Sequence, residues 1–247
     1  MFVPPTERFA ATADNYVRFR PGYPPALVDW VIETTGVHPP APLLDLGCGT
    51  GISTRAFASR GFNVVGVDPS EAMLDHARRE GGASYQRGDA TATGLADRSV
   101  RLVVSGQAFH WFDLAPTLAE LRRVLVADGW CAAFWNIRAR SAFLDDYEAL
   151  LRRTANEYEN RPKPLPTIEA IKARPEVTSV REVELSNRQE LDRERLIGRA
   201  FSSSYVAHDV ADRAGLERAL GELFDRHSRD GRVDFVYRAV AVAWQIV

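Results

Sequence analysis

The sequence predicts an α/β fold with a doubly wound parallel sheet. Short apolar runs alternate with helical patterns between about residues 41 and 136. A glycine-rich turn joins the first of these runs to the first helical pattern, as in open parallel sheets that hold a ligand at their strand ends. Composition fits a globular chain, with 45% hydrophobic and 26% charged residues among 247. The longest stretches free of charge, Thr34–Leu44 and Leu102–Phe112, have 11 residues each and are too short to span a bilayer.

In chain order, Pro42–Leu46 is an apolar run that reads as a buried strand entering the turn Gly47–Gly51, and Ile52–Arg60 follows as a helix. Phe62–Val67 is β-branched and apolar, a second strand closed by Asp68-Pro69. Ser70 is placed to cap the helix Glu71–Glu80, with Arg78 and Arg79 late and Gly81-Gly82 as its stop. Ala83–Arg87 is a third strand before Gly88-Asp89. Val100–Ser105 is a fourth, and Leu114–Val126 is a helix with Leu118, Leu121, Val124 and Leu125 on one face. Asp128-Gly129 is expected to turn the chain into a fifth strand, Trp130–Trp135. Strands separated by helices of this length imply right-handed βαβ units.

Beyond Asn136 the pattern changes to a helix over Ala142–Glu159, which the prolines of Arg161–Pro166 cannot continue. Val177–Leu191 alternates as a strand, Arg193–Phe201 is a short helix, Ala211–His227 an amphipathic one, and Asp234–Val247 a closing strand. The expected organisation is a single domain over 1–247. Its cofactor-binding half is 41–136, its cap is formed by 1–40 and 137–176, and 177–247 completes the sheet.

Charge bounds the partners. Lys and Arg number 31 against 33 Asp and Glu, a balance that argues against a broad basic face for nucleic acid. The N-terminus has no basic region followed by an apolar stretch, and two cysteines cannot form a disulfide framework, so a cytoplasmic protein is expected. Cys48 and Cys131 would lie two strand spacings apart, about 9.6 Å, beyond disulfide reach. The histidines are scattered without a ligand pattern, and no metal is expected. Arg193–Arg199 reads as a solvated face.

The chemistry concentrates in Leu44-Asp-Leu-Gly-Cys-Gly-Thr-Gly51. Glycines at 47, 49 and 51 let the backbone turn sharply and a ligand approach closely. A dinucleotide fingerprint needs its third glycine where Ile52 stands, so that motif fails. Asp68 then ends the second strand 21 residues after Gly47, and Asp89 follows the third.

With these three features in register, the chain resembles the class I S-adenosylmethionine-dependent methyltransferases. The resemblance implies a Rossmann-like, seven-stranded, mostly parallel sheet whose last strand is antiparallel, with a helical cap. It implies S-adenosyl-L-methionine as cofactor, held by the turn residues Gly47, Cys48, Gly49 and Gly51. Asp68 would accept from the ribose hydroxyls and Asp89 from the adenine amino group, with the Ala90 N–H donating to a ring nitrogen. Asp45 would face the methionine end, Met73 would floor the adenine, and Gln107 would flank the cofactor. At the N-terminus, Phe9-x3-Ala13-x2-Tyr16-x3-Arg20-Pro21-x-Tyr23-Pro24 is similar to the opening of relatives of trans-aconitate methyltransferase. Positions 9, 13, 16 and 20 share a helical face, so Arg20, beside Tyr16, would pair with the cofactor carboxylate.

The stretch Ala108–Phe112 is also typical of that subgroup. Its His110 is the candidate base, and His110, Trp111, Trp135, Asn136 and Tyr147 are the candidate acceptor-side residues. The family usually carries an acidic residue where this chain has Arg101. The expected reaction is in-line methyl transfer to oxygen or nitrogen of a small-molecule acceptor, driven mainly by alignment. A nucleotide-dependent oxidoreductase on a related fold and a non-catalytic cofactor-binding protein stay open as alternatives. The sequence leaves the oligomeric state undetermined.

Overall fold

The computed structural model describes residues 18–155, 164–203, 206 and 210–247. Tyr16, with Phe9 and Ala13 of the N-terminal pattern, lies outside them. Helix α1, Pro25–Thr35, starts on a proline, whose missing N–H costs nothing in a first turn. It ends at Gly36, in the left-handed region at φ 64°. The alternating core follows as β1 Pro42–Leu46, α2 Ile52–Ala58, β2 Asn63–Asp68, α3 Glu71–Glu80, β3 Ser84–Arg87, β4 Val100–Gly106, a 3₁₀ turn Phe109–Trp111, α4 Leu114–Val124 and β5 Leu125–Arg138. After it come α5 Ala142–Thr154, α6 Pro164–Lys172, β6 Val177–Leu191, α7 Arg193–Phe201, α8 Arg213–His227 and β7 Val233–Ile246.

The seven strands form one sheet in the order β3-β2-β1-β4-β5-β7-β6, mostly parallel with one antiparallel strand. Strand β1 has β2 on one side and β4 on the other, both parallel to it. The winding therefore reverses at β1, and the crevice beyond the carboxyl ends of β1 and β4 is the place such sheets use for ligands.

Contacts divide the chain into two compact units. The first holds Gly22–Asn136, Pro162–Leu185 and Ala239–Val247, and the second Met1–Pro21, Ile137–Arg161 and Ser186–Arg238. Each has its own apolar core. In the first, Leu27, Val28 and Val31 of α1 cluster with Leu43, Leu102, Phe134 and the alanines 239, 241 and 243 of β7. In the second, Phe143, Tyr147 and Leu151 of α5 cluster with Leu196, Leu220, Phe224 and Phe235.

Residues 22–40 and helix α6 belong to the first unit, because the apolar face of α1 is consumed by the sheet. Three local expectations change. Strand β5 begins at Leu125, and the expected Asp128-Gly129 turn is an irregularity within it, where the register jumps from Val100↔Leu125 to Leu102↔Trp130. The helix expected over Ala142–Glu159 ends at Thr154, and a separate helix, α6, starts on Pro164, since prolines at 164 and 166 fit a first turn. Ser70 stands at the N-cap of α3, but its side chain makes no cap bond. Strand β6 and helix α7 have the bounds their patterns predict.

Candidate active site

The glycine turn is pinned from β2. Gly47 N and Cys48 N donate to Val67 O at 2.8 and 3.1 Å, and Gly51 N donates to Cys48 O at 2.9 Å. Gly49 N donates to Asp68 Oδ2 at 2.9 Å, while Asp68 Oδ1 accepts from Ser70 N at 2.8 Å. Asp68 thus braces both the turn and the start of α3, and each of its oxygens keeps a second lone pair for a ligand hydroxyl. Burial raises its pKa against those two bonds.

Glycine is required at 47 on two counts. Its φ is 71°, and a Cβ there would stand 2.6 Å from Ala108 Cβ and 3.0 Å from Phe112 Cζ. The segment after β4 therefore lies directly against the turn after β1. At Gly49, with φ 53°, a Cβ would meet nothing within 4 Å among the described residues. That position opens onto free space of the kind a ligand takes.

Asp45, immediately before the turn, is fully buried. Its Oδ2 accepts from Ser53 Oγ at 2.7 Å and Thr54 Oγ1 at 2.5 Å, both on α2. Its Oδ1 is buried with no hydrogen-bond partner among the described residues. Burial lifts its pKa to about 6, although the two hydroxyls pull it down. An orphaned, half-satisfied carboxylate beside a glycine cradle suits a cationic amino group, which would supply the missing donor.

Cys48 turns its thiol inward. A Cβ on Gly66 of β2 would stand 2.9 Å from Cys48 Sγ, and burial pushes the thiol pKa up, so only its backbone faces the turn's work. Asp89 accepts three bonds on Oδ1, from Thr91 N and Thr91 Oγ1 at 2.7 Å and from Ala92 N at 2.9 Å. These bonds, led by the Thr91 hydroxyl, hold its pKa low and keep it ionised. Gly88 N donates to Asp68 O at 3.3 Å, which ties the loops after β2 and β3 together. Ala90 is buried beside Asp89, and Met73 is buried on the inward face of α3 with Leu74 and Ala77.

On the β4–β5 side, Gln107 takes a left-handed φ of 59° and donates through Nε2 to Asn136 O at 3.2 Å. Asn136 Nδ2 donates to Gly22 O at 3.1 Å. Tyr23 sets its ring edge-on to Phe134 at 4.6 Å, and a Cβ on Gly106 would lie 2.6 Å from the Tyr23 hydroxyl. Tyr23 has no site role among the expectations from sequence, and the proline-rich segment around it is the available signal. His110 sits in the 3₁₀ turn, and its Nδ1 accepts from Trp135 Nε1 at 2.9 Å. Trp111 beside it is 39% exposed. Arg101, at the opposite end of β4, pairs with Asp128 at 2.6 Å.

The first unit thus gathers Asp45, the glycine turn, Asp68, Asp89, Gln107, His110, Trp135 and Asn136 on strand ends or the loops that leave them. Two expected site residues belong to the second unit. Arg20 Nη2 donates to Ser202 O at 3.0 Å, and Tyr147 is fully buried, edge-on to Phe235 at 5.2 Å.

Known proteins are similar to this chain in sequence and fold. Residues 44–133 match the methyltransferase domain family, a span that runs from the strand before the glycine turn to the middle of β5. An uncharacterised methyltransferase of Schizosaccharomyces pombe is 36% identical over 135 residues, 54% of this chain and 54% of its own length. An uncharacterised methyltransferase of Mycobacterium tuberculosis is 34% identical over 166 residues, 65% of this chain and 67% of its own length. The match therefore spans about half of the first relative and two thirds of the second. A solved structure from Anaeromyxobacter dehalogenans, provisionally named a type II methyltransferase, has 26% identity and a TM-score of 0.64. It covers 92% of this chain and 98% of its own. A glycine turn braced by an aspartate at the end of β2, a matching domain and relatives so named lead to one conclusion: the chain belongs to the class I S-adenosylmethionine-dependent methyltransferases.

Proposed function

We propose that the protein transfers a methyl group from S-adenosyl-L-methionine to oxygen or nitrogen of a small-molecule acceptor. The observation that carries the reading is the orphaned Asp45 Oδ1 beside the open glycine turn. When bound, the cofactor would supply an electrophilic sulfonium methyl, to which an acceptor lone pair bonds in line as the carbon–sulfur bond breaks and a neutral thioether leaves. Asp45 and the turn amides would hold the amino-acid end, Asp68 the ribose hydroxyls, and Asp89 with the Ala90 N–H the adenine. Gln107 would flank the cofactor, with Met73 beneath the adenine. On the other side His110, Trp111, Trp135 and Asn136 would receive the acceptor.

Since the methyl is already activated, the chain's contribution is to align the acceptor and exclude water. The near balance of 31 basic and 33 acidic residues supports a small molecule over nucleic acid. Both cysteines are buried free thiols, which fits a cytoplasmic setting. Among the described residues no helix is long and apolar enough to cross a membrane.

The test is transfer of isotope-labelled methyl from S-adenosylmethionine into a metabolite extract, with mass spectrometry of the product. Labelled product is expected; binding without transfer would leave a cofactor-binding protein instead. Asp68→Ala should weaken S-adenosylhomocysteine binding by about 100-fold, the worth of two hydrogen bonds to a charged acceptor. Unchanged affinity by calorimetry would remove the ribose assignment.

A further inference from the structure

The bond between Trp135 and His110 fixes more than packing. An indole N–H only donates, so the His110 Nδ1 that it meets at 2.9 Å must be the unprotonated nitrogen. In the neutral ring the proton then resides on Nε2. Neither partner is free to move away. Trp135 is fully buried in β5, one residue beyond the Gly106↔Phe134 pair. His110 is held in a 3₁₀ turn closed by Trp111 N to Ala108 O at 2.9 Å and Phe112 N to Phe109 O at 3.2 Å. Phe109 anchors that turn edge-on to Trp244 at 5.3 Å, and α6 packs against it. Ala108 and Phe112, on either side of His110, are the residues that press on Gly47, so the imidazole belongs to the segment lying on the cofactor turn.

Resting on the methyltransferase reading above, we propose that His110 is a fixed hydrogen-bond donor to the acceptor and not its general base. Trp135 is the positioning residue that sets the tautomer. Nε2–H would hold a polar oxygen of the acceptor and so aim the neighbouring lone pair. The ring could take a proton only on Nδ1, at the expense of the Trp135 bond and in a partly desolvated site. Burial correspondingly lowers the His110 pKa to about 4, which keeps the ring neutral across physiological pH. The substrate class follows. It is a small molecule with an oxygen that accepts a hydrogen bond and a nucleophilic atom that needs no deprotonation by His110 before attack. Any proton on that atom leaves to solvent after transfer.

The first test needs no substrate. In protein labelled with ¹⁵N in the imidazole rings, the His110 resonances, identified among five histidines by their loss in His110→Gln, should report the Nε2–H tautomer at every pH from 5 to 8. Trp135→Phe should shift the ring toward a tautomer mixture and an ordinary titration. A protonated Nδ1 or an imidazolium at pH 7 in the wild-type protein would overturn the proposal, whether or not Trp135→Phe folds. The second test is labelled methyl incorporation into a metabolite extract. Glutamine both accepts and donates, so His110→Gln should keep at least about a tenth of the rate, whereas His110→Leu should lose about 100-fold. Equal loss in both variants would favour a base and sink the donor role. An extract left unlabelled by wild-type protein overturns the methyltransferase reading and this role together; labelled product with the wrong tautomer overturns only the role.

Discussion

Burial lifts the Asp45 carboxyl to about 6 against the pull of the Thr54 and Ser53 hydroxyls, so in the ligand-free fold its charge is a liability. The sign follows from linkage. A carboxyl whose folded pKa is raised binds its proton more tightly in the folded state. Its effect on stability is most favourable below the unfolded value near 4 and is lost as pH rises to about 6. The loss is on the order of 3 kcal/mol. Asp68 is raised as well and acts in the same direction. Asp45→Asn should therefore raise ligand-free stability at pH 8 by about 1–3 kcal/mol and shrink the decline in Tm between pH 4 and 7. The same variant should bind S-adenosylhomocysteine more weakly, because the cationic amino group proposed to meet Asp45 would lose its counter-charge. Melting curves and calorimetry on one preparation read both effects, and a variant that loses stability at pH 8 would contradict the burial argument.

At the scale of elements, the two glycines of the turn separate packing from binding. Ala at 47 meets a positive φ and two side chains of the β4 loop, so Gly47→Ala should cost roughly 1–3 kcal/mol and also displace the segment that carries His110. Ala at 49 meets the same kind of φ but only open space. Gly49→Ala should cost about 1 kcal/mol in stability and still lower S-adenosylhomocysteine affinity by at least 10-fold, since its methyl enters the cradle. Undiminished affinity in Gly49→Ala would mean that the ligand lies elsewhere. This turn was legible in the sequence because strand, glycines and helix are adjacent in the chain, and Asp68 and Asp89 end the next two strands. The Trp135–His110 bond was not, because it joins residues 25 apart and depends on the β4–β5 register. That register contains an irregularity where an Asp-Gly pair imitates a turn. Helix α6 was hidden for a related reason, since prolines that end one helix also start another.

Across the whole molecule, strand β7 shows in one sequence how a single strand supplies residues to two cores. From Val233 to Arg238 burial alternates, with Val233, Phe235 and Tyr237 inward, while from Ala239 to Trp244 every residue is buried. The inward series changes from large residues to the alanines 239, 241 and 243 where the chain passes from the second unit to the first. Bulky side chains fill the helical core around Phe235, and small ones suit a strand covered on both faces. Two cores of this kind need not open together. Gly198 of α7 tests that point, because a Cβ there would stand 2.4–2.6 Å from the Phe19 ring, within the second unit. Gly198→Ala should destabilise that unit by about 1–3 kcal/mol, through an overpacked contact that the ring must vacate. Native-state hydrogen exchange should then show amides of α7 and α8 losing protection by 5- to 100-fold or so, while β1, β2 and β4 keep theirs. Uniform loss over all of these elements would instead show that the two cores unfold as one cooperative body.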